Sequence, residues 1–265
     1  MVMVGVHVVA ALAGVALGVG AVYLGRTFIE GVRRDRRERP ALLAEGLRHD
    51  RWEQAVEKLD SDDASERLAC FADLERYGRE NPDAGADILE LACSYLRKPF
   101  EFPAQDEGEL EIRLAAQQLL TRHLRWPEGE ARPADFWEAD ELELQDAVLI
   151  DPDFADAVLV GADFRDSLIV RGDFRRARFP RFVTFDRAYF TEDVRFDEAT
   201  FGLYASFAGA MFGGTASFAE ARFQDDVTFT GARVEHPHAA HSWPSHWRVW
   251  ANSPAAQGRL LSDER

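Results

Sequence analysis

Residues 157–164 read Ala157-Val158-Leu159-Val160-Gly161-Ala162-Asp163-Phe164, and this stretch decides the fold. Its large apolar residues, Leu159 and Phe164, are five apart, and each follows a small residue, Ala157 or Ala162, by two. The step of five runs back through Phe154 and Leu149 to Leu144, and forward through Ile169 and Phe174 to Phe179. The spacing then alternates six and five through Phe185, Phe190, Phe196, Phe201, Phe207, Phe212, Phe218, Phe223, Phe229 and Val234. Neither the helical period of 3.6 nor the strand period of 2 produces this lattice, so it marks a structural repeat.

The physical solution is a square coil. Each repeat forms one short side whose large residue, and the small residue two before it, point inward. Four sides close a turn, and successive turns stack at strand spacing so that backbone groups pair with the turns above and below. The extra residues Phe182, Asp193, Tyr204, Thr215 and Asp226 are expected to widen two diagonally opposite corners. At about 4.8 Å per turn the rod should be about 20 Å long. Stacking every fourth repeat places Leu149, Ile169, Phe190 and Phe212 on one face. Its outward residues include Val148, Ile150, Leu168, Val170, Tyr189 and Met211, an apolar set on a rod whose other faces are mainly polar outside, with Val158 and Val160 the chief exception. This is the expected interaction face, covered either by the chain's own helices or by a partner.

The 157–164 segment resembles the A(D/N)LXX repeat of pentapeptide-repeat proteins. Ala188-Tyr189-Phe190 and Ala199-Thr200-Phe201, with Val183-Thr184-Phe185 and Val194-Arg195-Phe196 between them, resemble its Phe-rich variant. Residues 55–59 and 67–76, together with Trp243-Pro244-Ser245-His246-Trp247, look like a group of bacterial members with an N-terminal membrane segment. The resemblance implies a right-handed quadrilateral β-helix over 141–235 and carries over no catalytic residues. A few members inhibit gyrase by mimicking DNA, so an acidic mimic is a second reading. Residues 141–235 hold 18 Asp and Glu against 10 Arg, but Arg165, Arg171, Arg175, Arg176, Arg178 and Arg181 interrupt the acidic run.

Ahead of the repeat, residues 2–25 carry no charge and are rich in Val, Ala, Leu and Gly. At about 1.5 Å per residue, such a helix would reach about 36 Å, enough to cross a bilayer. Arg26, Arg33, Arg34, Arg36, Arg37 and Arg39 follow, so residues 26–40 form a basic juxtamembrane segment. The positive-inside rule then predicts a single-pass cell-membrane anchor, with the N-terminus outside and the later domains in the cytoplasm. Gly14 and Gly18 match the close-packing pattern of membrane helix pairs, making a homodimer one expected assembly.

Residues 41–126 are expected to form a helical domain. Leu68, Phe71, Leu74 and Tyr77 share one helix face, and Asn81-Pro82 ends that helix. Asp83 is placed to cap the next helix, which carries Ile88, Leu91, Ala92, Tyr95 and Leu96 and stops at Lys98-Pro99. A third helix holds Ile112, Ala115, Ala116, Leu119 and Leu120. Cys70 and Cys93 read as buried free thiols. Residues 127–140 are a linker, and 236–265 form a C-terminal cap and tail.

The tail gathers His236, His238, His241 and His246 among Trp243, Trp247 and Trp250. Two readings stand: aromatic capping of the open coil end, or a histidine metal site serving a sensor. The net charge of −16 argues against direct nucleic-acid binding. No Gly-x-Ser-x-Gly, phosphate loop, His-Glu-x-x-His or EF-hand pattern occurs, so neither catalysis nor a cofactor is expected. The leading expectation is a membrane-tethered, non-enzymatic scaffold for a protein partner.

Overall fold

The structure, a computed structural model, describes residues 52–251 and 257–262. The predicted span 2–25 and basic segment 26–40 lie outside the described residues. Among those described, no helix is long and apolar enough to cross a membrane.

Among the described residues, helical residues 52–57 and a 3-10 turn, Lys58–Asp60, lead into α1 (Ala64–Glu80), α2 (Gly85–Leu96) and α3 (Glu107–His123), which precede the repeat. Asp63 caps α1 by accepting from the Ser65 N–H, and Asp106 caps α3 by accepting from Gly108 and Glu109. Each cap satisfies amides that a helix start leaves without partners. Asp83 does not cap α2. It lies in a 3-10 turn, Pro82–Ala84, and Ala84 takes the cap position without a side-chain bond. The proline starts a helical turn early and so displaces the aspartate from the capping geometry. Phe71, Leu74, Ile88, Leu96, Ile112 and Leu120 fill the shared core. Cys70 and Cys93 are buried within it, and that burial pushes both thiols up to about 12, so neither is a reactive thiolate at neutral pH.

The repeat forms a β-solenoid of about four turns, with the chain running parallel from turn to turn. Four faces result. The first stacks Leu142–Glu143, Gly161–Asp163, Phe182–Thr184, Tyr204–Ser206 and Val227–Thr228. The second pairs Leu149 with Ile169, Ile169 with Phe190, Phe190 with Phe212 and Phe212 with Val234, as the spacing predicts. The third pairs Val194–Arg195 with Ala216–Ser217, and bridges extend it upward through Asp173 to Asp153. The fourth aligns Phe179, Phe201 and Phe223.

Inside, phenylalanines stack in files along the axis. Phe164, Phe185, Phe207 and Phe229 follow one another at 4.7–5.0 Å between centroids, nearly coplanar, and meet neighbouring files edge-on. The parallel stack fixes the distance between rings, and the offset and edge-on contacts are those aromatic quadrupoles favour.

The corners explain the spacing. Between the first and second faces, Asp146, Asp166, Arg187, Gly209 and Gly231 all adopt positive φ, a tight left-handed bend. Between the second and third faces, Asp151 and Arg171 do the same in the five-residue turns. Where Asp193 and Thr215 are inserted, that corner contains no positive-φ residue. The extra residue widens the bend and removes the left-handed strain, which costs roughly 1–2 kcal/mol per non-glycine residue.

Candidate interaction surface

The outward positions of the second face form a column. Val148 lies over Leu168, Leu168 over Tyr189, and Tyr189 over Met211, all half-buried. Tyr189 is tied down by its hydroxyl, which bonds Glu235 at 3.2 Å two turns further on. Exposed Arg233 ends the apolar column below Met211.

Two of the six expected face residues depart from the simple picture. Val170 is buried, not outward-facing, at 1% exposure. It lies beside Ile150 in the ladder, near the corner where the chain folds back sharply at Arg171. Ile150 is half-buried, and its backbone is clamped by α3: the Gln117 amide donates to its carbonyl at 2.7 Å and accepts from its N–H at 3.0 Å. A primary amide thus supplies the donor and acceptor that an absent turn above would offer, closing an edge that would otherwise invite strand pairing. The chain just beyond α3 does the same for the fourth face, where Val158 donates to the Leu124 carbonyl at 2.8 Å. The helices therefore close the upper end of the coil, and Leu168, Tyr189 and Met211 stay half-exposed beside it.

Ion pairs flank the column. Arg171 grips Asp151 one turn above with two bonds, 2.5 and 2.8 Å, and lies 3.6 Å from Glu192. On the other flank Arg187 grips Asp166 in the same way, at 2.7 and 2.5 Å. Arg176 holds Asp156 on a third corner. These arginines do not merely interrupt an acidic run. Their periods of 20 and 21 residues bring each onto an aspartate in the preceding turn. The continuous acidic surface that nucleic-acid mimicry needs is broken there.

The bonds from Arg176 and Arg187 hold Asp156 and Asp166 below the usual carboxylate range. For Asp163 and Asp173, burial pushes upward but is outweighed by side-chain and backbone hydrogen bonds from Arg165 and Arg175. A depressed carboxylate contributes its stability in full above the unfolded value of about 3.9 and loses it as pH falls through the folded value. The melting temperature should therefore hold steady down to about pH 5 and fall below about pH 4. Arg176→Gln with Arg187→Gln should flatten that fall in a pH series of thermal melts. An unchanged acid profile would show that these Arg–Asp pairs do not set the acid stability.

The tail histidines are dispersed. His241 is engaged on both nitrogens: Nδ1 accepts from the Ala216 N–H at 3.1 Å and Nε2 donates to the His236 carbonyl at 2.8 Å. His236, His238 and His246 are exposed. Among the described residues no group of three His, Cys, Asp or Glu side chains could hold a metal ion. The aromatic residues close the coil. Trp243 meets Phe212, Phe218 and Phe229 at 5.1–5.9 Å, and Trp247 meets Phe229 at 5.2 Å. The strand Gly258–Ser262 continues the second face in antiparallel pairing with Arg233–Val234.

Two features were not anticipated from the sequence. One is the Gln117 clamp. The other is an exposed apolar pair, Leu203 and Tyr204, at the widened corner between the fourth and first faces. The aromatics inserted at two of these corners, Phe182 and Tyr204, were the available signal.

The family model for pentapeptide repeats (9 copies) matches residues 174–222 and again 196–237. These matches and the β-solenoid support a pentapeptide-repeat protein. No match is found among curated proteins.

Proposed function

We propose that this protein is a non-enzymatic, membrane-tethered interaction module that presents the second face of its solenoid to a protein partner. The observation that carries the reading is the axial column Val148, Leu168, Tyr189 and Met211, apolar and half-exposed, bordered by paired charges. An apolar strip within a polar rim is the usual anatomy of a protein interface. The tether rests on the uncharged stretch 2–25, and the arginines after it favour a cytoplasmic solenoid by the positive-inside rule.

One experiment addresses both parts. The full chain, carrying a C-terminal phosphatase, is expressed in cells, crosslinked and fractionated. Expected are membrane recovery, a silent phosphatase and discrete partner adducts. Leu168→Thr, Tyr189→Thr and Met211→Thr together should abolish the adducts and leave the melting temperature within a few degrees, as these side chains are only half-buried. Adducts that survive the triple substitution would sink the docking face. Recovery in the soluble fraction, or an active phosphatase, would sink the tether or its orientation.

A further inference from the structure

The most exposed large apolar residues of the solenoid are Leu203 at 65% and Tyr204 at 48%. They sit at the widened corner between the fourth and first faces. The register places Phe182 directly above Tyr204, and therefore Arg181 above Leu203. One turn below, Ala205 pairs with Val227, which puts Asp226 under Tyr204 and Asp225 under Leu203. Read down the axis, the corner is positive with an aromatic, then apolar, then doubly negative.

These charges stand apart from the turn-to-turn ion pairs of the rod. Arg171, Arg176 and Arg187 each grip an aspartate one turn above. Arg181, Asp225 and Asp226 are exposed and form no ion pair among the described residues, although Asp225 accepts from the Asp226 N–H. One unmatched arginine and two unmatched aspartates thus bracket this exposed apolar pair, the opposite signs separated by two turns, about 10 Å.

We infer that this corner is the contact by which the protein pairs with a second copy of itself, the two rods lying side by side and antiparallel. A two-fold axis through Leu203 and Tyr204, perpendicular to the rod, places these residues against their own copies. The same operation carries Arg181 of each chain onto Asp225 and Asp226 of the other. A patch complementary to itself under a two-fold rotation is what a closed symmetric dimer requires. A contact over three turns is small, so the dimer forms reversibly with concentration and weakens as salt screens the exposed charges. The corner lies on the opposite side of the first face from the second-face column, and the inference does not depend on the proposed docking function.

The test uses the full chain in detergent, with Gly14→Leu and Gly18→Leu introduced so that association of the apolar segment does not contribute. Sedimentation should show a dimer whose dissociation constant rises with salt. Arg181→Asp alone sets acid against acid, and Asp225→Arg with Asp226→Arg sets base against base. Each should weaken self-association by at least about tenfold, with melting unchanged. An equimolar mixture of the two variants should recover a dimer, because every charge then again meets its opposite. Leu203→Ser should weaken the dimer without altering its salt dependence. A chain that stays monomeric at all concentrations, charge variants that associate like the parent, or a mixture that fails to recover would each overturn the inference.

Discussion

Phe196→Ala should lower the stability of the solenoid by about 3–5 kcal/mol, the range for emptying a well-packed aromatic site. The ring is fully buried and lies nearly coplanar with Phe174 at 4.9 Å and Phe218 at 4.8 Å. Phe185 and Phe207 meet it edge-on at 5.4 and 5.5 Å. Removing the ring leaves a void one turn high that the stacked backbone cannot close, because the parallel ladder fixes the spacing of the turns. Arg195 is exposed, and Arg195→Ala should change stability by less than about 0.5 kcal/mol. Thermal melts that show the two substitutions to be equally harmful would refute the inward and outward assignment.

Gly202→Ala should cost about 3 kcal/mol, the upper end for overpacking, although it adds one methyl group. A Cβ at Gly202 would lie 2.1 Å from the Pro180 carbonyl oxygen and 2.6 Å from its carbon, both backbone atoms of the turn above. Its own N–H donates to the Phe179 carbonyl at 2.8 Å, so the two turns cannot separate without losing that bond. Gly209→Ala is the control. Gly209 has φ of +68°, but the nearest obstacle to a Cβ is the Arg187 side chain at 3.4 Å, and Asp166 and Arg187 occupy the same corner in other turns. Its cost should be only the left-handed penalty, about 1–2 kcal/mol. With a melting shift of about 2–4 °C per kcal/mol for a domain of this size, the two variants should separate by several degrees. Equal melting temperatures would show that the turns are not held at this spacing.

The core was legible because one residue type recurs at one geometric position. Phe185, Phe196 and Phe207 announce their inward direction by spacing alone, and the stack of Leu149, Ile169, Phe190 and Phe212 follows from counting four sides per turn. Other features depend on what lies across the fold. Val170 has the pattern of an outward residue and is buried by its place beside a tight corner. Gln117 looks like any polar residue on a helix until the first turn is found to need its amide. The Arg–Asp pairs were within reach, since 151 and 171, 156 and 176, and 166 and 187 keep the turn period. They are hidden in the linear order of charges, because partners a full turn apart are about 20 residues apart in sequence. The Leu203 corner is obscure in the sequence because an inserted residue signals the shape of a corner more directly than the surface exposed there.

The conversion of sequence position into compass bearing also constrains how the rod can change length. Deleting one five-residue unit, such as 172–176, would leave every later repeat with an inward residue, so the interior would still be filled. Everything downstream would nevertheless turn by a quarter. Tyr189 and Met211 would move to the first face, away from Val148 and Leu168, and Arg187 would leave the corner it shares with Asp166. The interior is interchangeable from one repeat to the next, whereas the exterior is an address. Growth or shortening that respects those addresses must come in complete revolutions.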